Sequence, residues 1–246
     1  MGQLKALIFD VDGTLAETER DGHRIAFNRA FAEADLDWYW SESLYGKLLE
    51  ISGGKERIKY YLQQYHPDVK DNLDSLIPQL HRAKTSHYRD LLSSGDIRLR
   101  PGVKRLIEEA YNEKIRLAIA TTSALPNALA LLEKHLDTNW FEVIAAGDIV
   151  PHKKPSPDIY NYVLKNMDLK PEECLVFEDS FHGLQASSGA NLKTIITLHD
   201  YTRNQDFSLA TLVLNHLGEP HHEFTLVKGN LPNKVYFDLE VAKILI

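Results

Sequence analysis

The sequence has only one cysteine, Cys174, among its 246 residues, so no disulfide can form within the chain. This scarcity fits a reducing compartment, and we expect Cys174 to be a small buried side chain at the start of a strand. No apolar run approaches the roughly 20 residues that a membrane-spanning helix needs. The net charge of −7 leaves no basic footprint of the kind that nucleic-acid-binding proteins carry. The sequence therefore argues against the disulfide-rich, membrane-spanning and nucleic-acid-binding classes.

We also expect no signal or transit peptide in this sequence, because the chain enters an apolar strand within its first ten residues. We expect a cytoplasmic protein, or one of the plastid stroma if the sequence is that of a mature, processed chain. The negative net charge repels anionic ligands, so a phosphorylated ligand would need local positive charge or a metal ion. We expect a monomer that acts on a small molecule and binds neither nucleic acid nor a membrane.

The hydrophobic pattern after Pro101 predicts an α/β fold. Short apolar runs alternate with segments of helical period, which indicates a doubly wound, mostly parallel sheet with right-handed crossovers. After Pro220 the pattern predicts two further short strands, at residues 224–227 and 235–239. The predicted strands before this tail are residues 7–9, 115–120, 141–146, 174–177, 194–197 and 212–214.

Between the first and second predicted strands the pattern is helical throughout. Apolar residues recur at helical spacing from residue 17 to about residue 92, and no convincing strand interrupts them. We therefore predict a core formed by residues 1–16 and 93–246, with a helical cap domain formed by residues 17–92 inserted after the first strand.

Two carboxylates directly follow the first strand. Leu7, Ile8 and Phe9 predict a strand buried on both faces, and Asp10 and Asp12 come at its carboxyl end before the turn at Gly13. Residues two apart on an extended strand point to the same side, so both acids can face one crevice. In open α/β sheets, ligands bind beyond the carboxyl ends of the strands. The sequence therefore predicts a ligand site at this edge of the sheet.

Later strand ends carry complementary polar groups. Thr121, Thr122 and Ser123 follow the second predicted strand, where they could donate to a phosphoryl oxygen or simply cap the next helix. Lys154 lies between the third and fourth strands in the run Lys154-Pro155-Ser156-Pro157 and could neutralise a phosphoryl group. Glu178 and Asp179 end the fourth strand, where buried acids need a partner or a metal.

These four segments, in this order, resemble the motifs of the haloacid dehalogenase-like hydrolase superfamily. The run from Asp10 to Thr14 matches its Asp-x-Asp-Gly-Thr signature, and residues 178–183 match Glu-Asp-Ser-x-x-Gly. The resemblance implies a Rossmann-like core and phosphoryl transfer with Mg²⁺ as cofactor. It implies that Asp10 is the nucleophile, Asp12 the general acid and base, and that Thr121 and Lys154 bind the phosphoryl group. The implied metal ligands are Asp10, the main-chain carbonyl of Asp12, and Asp179, with Glu178 acting through a water molecule.

Within the superfamily, residues 17–28 and 52–58 resemble the CbbY group. This resemblance implies a phosphatase for xylulose 1,5-bisphosphate, which inhibits the carbon-fixing carboxylase. Lys55 and Arg57 beside the flexible Gly53-Gly54 pair could then clamp the second phosphate, although they equally suit solvated charges at a helix start. The predicted substrate contacts in the cap domain are Glu17, His23, Arg24, Lys55 and Arg57, and those in the core are Thr122 and Ser123.

Three alternatives stay open at this stage. The related β-phosphoglucomutases share the motifs and cap type but return the phosphoryl group to the sugar, and their cap loop has a Ser-Arg pair where this chain has Lys55-Glu56. A phosphatase for another small phosphorylated sugar is a second possibility. A non-catalytic binding module is a third, but we expect such a module to lack one of the motif residues.

Overall fold

The structure, a computed structural model, describes residues 3–67, 73–95, 97–231 and 234–246. A π-helical turn spans Glu19–His23, and 3-10 turns span Thr138–Trp140 and Pro171–Glu173. The strands are β1 (Ala6–Phe9), β2 (Arg116–Thr121), β3 (Phe141–Ala146), β4 (Cys174–Glu178), β5 (Lys193–Thr197), β6 (Leu212–Leu214) and β7 (Leu226–Lys228). The helices are α1 (Arg24–Glu33), α2 (Glu42–Leu48), α3 (Gly54–Tyr65), α4 (Leu73–Ser94), α5 (Val103–Asn112), α6 (Leu125–His135), α7 (Asp158–Met167), α8 (Phe181–Gly189) and α9 (Leu239–Leu245).

The strands form one sheet in the order β3-β2-β1-β4-β5-β6-β7. Every neighbouring pair is parallel except β6 and β7, which are antiparallel. The predicted α/β class with a mostly parallel, doubly wound sheet is therefore confirmed. The chain runs outward from β1 to β2 and β3, then crosses back to place β4 on the other side of β1. This reversal makes the β1–β4 boundary the switch point where ligands bind in such sheets.

Successive residues of the central strands feed two separate hydrophobic layers. Leu7 and Phe9 of β1 pack into the layer that also contains Ile119, whereas Ala6 and Ile8 pack into the opposite layer. This alternation explains why the central strands read as continuous apolar runs, since both faces of a parallel sheet are covered. The carboxyl end of β1 is held rigidly as a result.

The helices between β1 and β2 have an aromatic core of their own. Phe27 and Phe31 of α1 pack against Trp38 and Trp40, with ring centroids 4.6–5.6 Å apart for the closest three pairs. The last turns of α4, with Tyr88, pack instead against the layer under the sheet. The cap boundary at residue 92 stays a prediction, and α4 continues to Ser94. None of the described helices is long and apolar enough to cross a membrane.

The tail differs from the sequence prediction. The strand expected at 224–227 corresponds to β7, but the strand expected at 235–239 is wrong. Phe237 is instead a fully buried anchor whose ring packs edge-on to Phe177 with centroids 5.4 Å apart. Helix α9 then begins at Leu239, because the Asp238 side chain accepts a hydrogen bond from the N–H of Val241 and caps the first turn. This capping signal outweighs the short apolar run that suggested a strand.

Candidate active site

The carboxyl ends of β1 and β4 bring the predicted acids together around Lys154. Its Nζ lies 2.6 Å from Oδ1 of Asp10 and 2.5 Å from Oε1 of Glu178, and it also donates to the carbonyl of Ala120 at 2.9 Å. Lys154 is 5% exposed and Glu178 is fully buried. The lysine is thus held by two charges and one carbonyl, so its ammonium group has little freedom to move.

Acidic side chains outnumber basic ones at this point. One carboxylate oxygen from each of Asp10, Glu178 and Asp179 lies within 4.8 Å of the other two. Burial raises the pKa of Asp10 well above its ordinary value, and the charges of Glu178 and Asp179 raise it further against the opposing effect of Lys154. For Lys154, burial would lower the pKa, but Asp10 and Glu178 raise it, so the ammonium stays charged. Three buried carboxylates around one lysine fit a divalent cation, which prefers oxygen ligands.

Glu178 is more constrained than the other two acids. Its Oε1 accepts hydrogen bonds from Lys154 and also from the Tyr160 hydroxyl, both at 2.5 Å. The α8 backbone approaches so closely at Gly183 that a Cβ there would come within 2.0 Å of the Glu178 carboxylate. These contacts fix the carboxylate in place, which suits the predicted contact with a cation through a water molecule. Tyr160 was not predicted, because nothing in the sequence of α7 separates it from a core tyrosine.

Asp179 has a partner that sequence reasoning missed. Nε2 of His199 lies 2.7 Å from Oδ2 of Asp179, and both residues are buried. Burial alone would lower the pKa of His199, but the hydrogen bond and charge of Asp179 raise it above the ordinary value. His199 follows β5, so the rule that polar groups gather at carboxyl strand ends could have identified it.

Asp12 is held by residues of the helical region. Its Oδ1 accepts a hydrogen bond from the Thr18 hydroxyl at 2.6 Å and lies 2.7 Å from Nε2 of His23. Nζ of Lys84 lies 2.8 Å from Nδ1 of His23, so the imidazole accepts from lysine at one nitrogen and donates to Asp12 from the other. Burial would raise the pKa of Asp12, but His23 and Thr18 hold it well below its usual range. Lys84 and Thr18 were not predicted.

Two adjoining cavities lie over these acids, and Asp12, Arg57 and Thr122 line both. The smaller, of about 90 Å³, reaches Asp10, Thr121, Lys154 and Asp179. The larger, of about 470 Å³, extends between α3, α4 and the turn before α6. The predicted residues that line the larger cavity are Asp12, His23, Lys55, Arg57, Thr122 and Ser123.

The turn that follows β2 carries the hydroxyl groups of Thr121, Thr122 and Ser123, and it lies where the two cavities meet. Thr121 is buried, and its Oγ1 accepts a hydrogen bond from the N–H of Ser123 at 3.1 Å. The alternative of a Ser123 cap does not apply, because Ala124 occupies the N-cap of α6 without a side-chain hydrogen bond. Thr122 and Ser123 both line the larger cavity.

Lys55 and Arg57, the two cationic side chains predicted to bind the second phosphate, have different surroundings. Nζ of Lys55 is 2.8 Å from Oδ2 of Asp148, across the mouth of the larger cavity. Nζ of Lys153 also reaches Asp148, at 3.0 Å from Oδ1. Arg57 is buried and donates to the Tyr45 hydroxyl at 2.9 Å and to the Leu48 carbonyl at 3.1 Å. Lys55 can therefore exchange its partner for a ligand more readily than Arg57 can.

Two predicted contacts are not brought to these cavities. Glu17 pairs with Arg100 at 3.3 Å and lines a separate cleft. Arg24 is buried, and its guanidinium donates to the carbonyl of Arg20 at 3.2 Å. In the part of the chain that the structure describes, neither lines the cavities that contain Asp12.

A family model described as haloacid dehalogenase-like hydrolase matches residues 7–197, which include all four motif segments. The chain belongs to this family. Within it, the chain belongs to the CbbY group, since it is 46% identical to the protein CbbY of Cereibacter sphaeroides over 219 residues, which cover 88% of this chain and 94% of that protein.

Two further relatives support the assignment. A crystal structure of a mutant CbbY from Rhodobacter sphaeroides in complex with xylulose-(1,5)bisphosphate superposes with a TM-score of 0.81 at 45% identity, covering 87% of this chain and 94% of that one. A phosphorylated carbohydrates phosphatase of Thermotoga maritima is 32% identical over 192 residues, covering 78% of this chain and 84% of that protein. This haloacid dehalogenase-like hydrolase is therefore an enzyme of the phosphatase type.

Proposed function

We propose that the chain is a Mg²⁺-dependent sugar-phosphate phosphatase that hydrolyses xylulose 1,5-bisphosphate to xylulose 5-phosphate and inorganic phosphate. The observation that carries the proposal is the convergence of Asp10, Lys154 and Asp179 at the switch point of the sheet. The CbbY complex with the same bisphosphate supports this choice of substrate. In a carbon-fixing cell, the reaction would remove an inhibitor of the carboxylase.

Asp10 acts as the nucleophile. A carboxylate oxygen of Asp10 attacks phosphorus, the bond between phosphorus and the sugar oxygen breaks, and an aspartyl phosphate forms. Lys154 opposes the repulsion between carboxylate and phosphate, since its charge lies 2.6 Å from Asp10 before the substrate arrives. Thr121, at the rim of the smaller cavity, supports the transferred group with its hydroxyl.

Asp12 acts as the general acid and base. It gives a proton to the departing sugar oxygen, then takes one from the water that hydrolyses the aspartyl phosphate. His23 and Thr18 keep Asp12 ionised in the free protein, which suits the second role. For the first role, the incoming phosphate must supply the proton or raise the pKa of Asp12 by its own negative charge.

Mg²⁺ would be held by Asp10, the main-chain carbonyl of Asp12 and Asp179, with Glu178 acting through a water molecule. Bound there, it would supply positive charge that offsets the excess of the three carboxylates and polarises the phosphoryl group. Burial of these acidic side chains favours metal binding, because a carboxylate that is removed from water needs a cation or another partner to stabilise its charge.

The larger cavity accommodates the rest of the sugar bisphosphate. Lys55 and Arg57 line it together with Thr122 and Ser123, and its volume falls in the range of small-molecule sites. We assign the second phosphate to Lys55 with Arg57. The predicted contact between His23 and a sugar hydroxyl would require the imidazole to give up its partner Asp12 or Lys84. Glu17 and Arg24 stay predictions that would require a rearrangement of the cap.

Product analysis tests this proposal. We expect inorganic phosphate to be released in step with loss of xylulose 1,5-bisphosphate, only when Mg²⁺ is present, and faster than from monophosphorylated pentoses and hexoses. The variant Asp10→Asn should abolish release, and unchanged activity in it would refute the nucleophile. Faster hydrolysis of another sugar phosphate would move the assignment to that substrate. An isomerised sugar phosphate with little free phosphate would instead identify a phosphomutase.

A further inference from the structure

His199 is placed between the main chain and the Asp179 carboxylate. It is 6% exposed, and its Nδ1 accepts a hydrogen bond from the main-chain N–H of Tyr201 at 3.3 Å. A neutral imidazole carries one proton, so when Nδ1 accepts, the proton is on Nε2. Nε2 lies 2.7 Å from Oδ2 of Asp179 and therefore donates to it.

We propose that His199 is a positioning residue that fixes the Asp179 carboxylate for cation binding. The hydrogen bond occupies Oδ2 and leaves Oδ1 available to the metal ion. Because its Nε2 carries the proton, His199 is a donor to the ligand and is not itself a ligand. Hydrogen-bond partners of metal-binding carboxylates set ligand orientation and contribute strongly to affinity. This inference rests on the proposed function, which places Asp179 on the metal.

The histidine is itself held in place from two directions. Its main-chain N–H donates to the Thr202 hydroxyl at 3.1 Å. The guanidinium of Arg100, which is buried, donates to the carbonyls of Thr197 and Leu198, the two residues that precede His199. Arg100 thus fixes the segment that leaves β5, and through it the position of the imidazole.

The turn at Gly13 closes over the pair. Its φ of +83° is left-handed, and a Cβ at this position would lie 2.3 Å from Oδ2 of Asp179 and 2.9 Å from Nε2 of His199. The guanidinium of Arg100 also donates to the carbonyl of Gly13. Arg100 therefore links the turn at Gly13 to the segment that follows β5. This link leaves the Asp179–His199 pair little freedom to separate.

Magnesium affinity, measured by calorimetry without substrate, tests the role directly. The variant His199→Leu removes the donor, and we expect it to bind Mg²⁺ about tenfold more weakly. His199→Gln keeps an N–H that can reach Asp179, and we expect its affinity to be close to that of the wild type. The matched control is His135→Leu, since that imidazole contacts the Ile97 carbonyl and should leave the affinity unchanged.

Several outcomes would overturn the inference. Wild-type affinity in His199→Leu would remove the positioning role, as would equal weakening in His199→Gln and His199→Leu. Circular dichroism checks folding, and if His199→Leu does not fold, His199→Asn replaces it. Its shorter amide can still accept from Tyr201 but cannot reach Asp179, so the same tenfold loss is expected. If the proposed function itself is wrong, the result differs: the wild type would bind no Mg²⁺, or it would bind Mg²⁺ with the same affinity as the variant Asp179→Asn.

Discussion

Lys154 and Asp10 are separated by 144 positions in the sequence, yet Nζ of the lysine lies 2.6 Å from Oδ1 of the aspartate. The lysine reaches this position from the loop before α7, and the aspartate directly follows β1. A second acid, Glu178, shares the same ammonium. Because all three side chains are buried, their charges depend on one another, and we expect the lysine to contribute both to the proposed chemistry and to the stability of the fold.

Replacing Lys154 with Met should therefore have two effects. We expect phosphatase activity to fall by at least about 100-fold, because the phosphoryl group loses its positive neighbour. We also expect the free energy of unfolding to fall by about 3 kcal/mol, because buried carboxylates lose their partner. Steady-state kinetics and urea denaturation measure the two. The control is Lys153→Met, since Lys153 pairs at the rim with Glu56 and Asp148. Equal losses in both variants would contradict the special role of Lys154.

Lys55 should discriminate between substrates with one and two phosphates. We expect Lys55→Met to raise KM for xylulose 1,5-bisphosphate by about tenfold, as lost charge-assisted hydrogen bonds typically do. KM for a monophosphate should change little, because we place the transferred phosphate in the smaller cavity, away from Lys55. Lys59→Met, on an exposed position of the same helix, is the matched control. A similar rise in KM for both substrates would show that Lys55 attracts anionic substrates in general and does not bind the second phosphate specifically.

Phe237 should be a major contributor to stability, although it lies outside the residues that the family model matches. The side chain is fully buried against Phe177, two residues before Asp179. We expect Phe237→Ala to lower the free energy of unfolding by about 3–5 kcal/mol, the usual cost of removing a buried phenylalanine. Val235→Ala, at a side chain that is 37% exposed, should change it by less than about 0.5 kcal/mol. Urea denaturation of both variants measures the difference, and equal midpoints would show that the tail does not anchor the sheet.

Cys174 should be unreactive in the folded protein. Burial raises the pKa of its thiol to about 12, so the thiolate that reacts with alkylating agents is scarce at neutral pH. In the unfolded chain the thiol ionises near pH 8.5, so this group makes the fold lose stability as the pH rises above that value. We expect no labelling by iodoacetamide at pH 8 until urea unfolds the protein. The Cys174→Ala variant should lack the stability loss contributed by this thiol above pH 8.5, and rapid labelling of the native protein would contradict both expectations.

Local patterns in the sequence determined the α/β class and the residues that meet at the switch point. Buried parallel strands appear as short apolar runs, and the polar residues that directly follow them occupy the same edge of the sheet. For this reason Asp10 and Asp179 could be expected to converge before any coordinates were considered, whereas Lys154, in the loop before α7, was singled out by the resemblance to known motifs. The resemblance to known motifs supplied the roles, which spacing alone cannot distinguish.

Only the tertiary structure decided which partners hold these residues. His199 on Asp179, Tyr160 on Glu178 and Lys84 on His23 are contacts between segments far apart in the chain. They depend on how helices and loops pack over the sheet, and packing leaves no periodic signal in the sequence. The segment around Phe237 shows the same limit, because a short apolar run fits a strand or a buried anchor equally well. Burial against Phe177 and the Asp238 cap selected the anchor and helix α9.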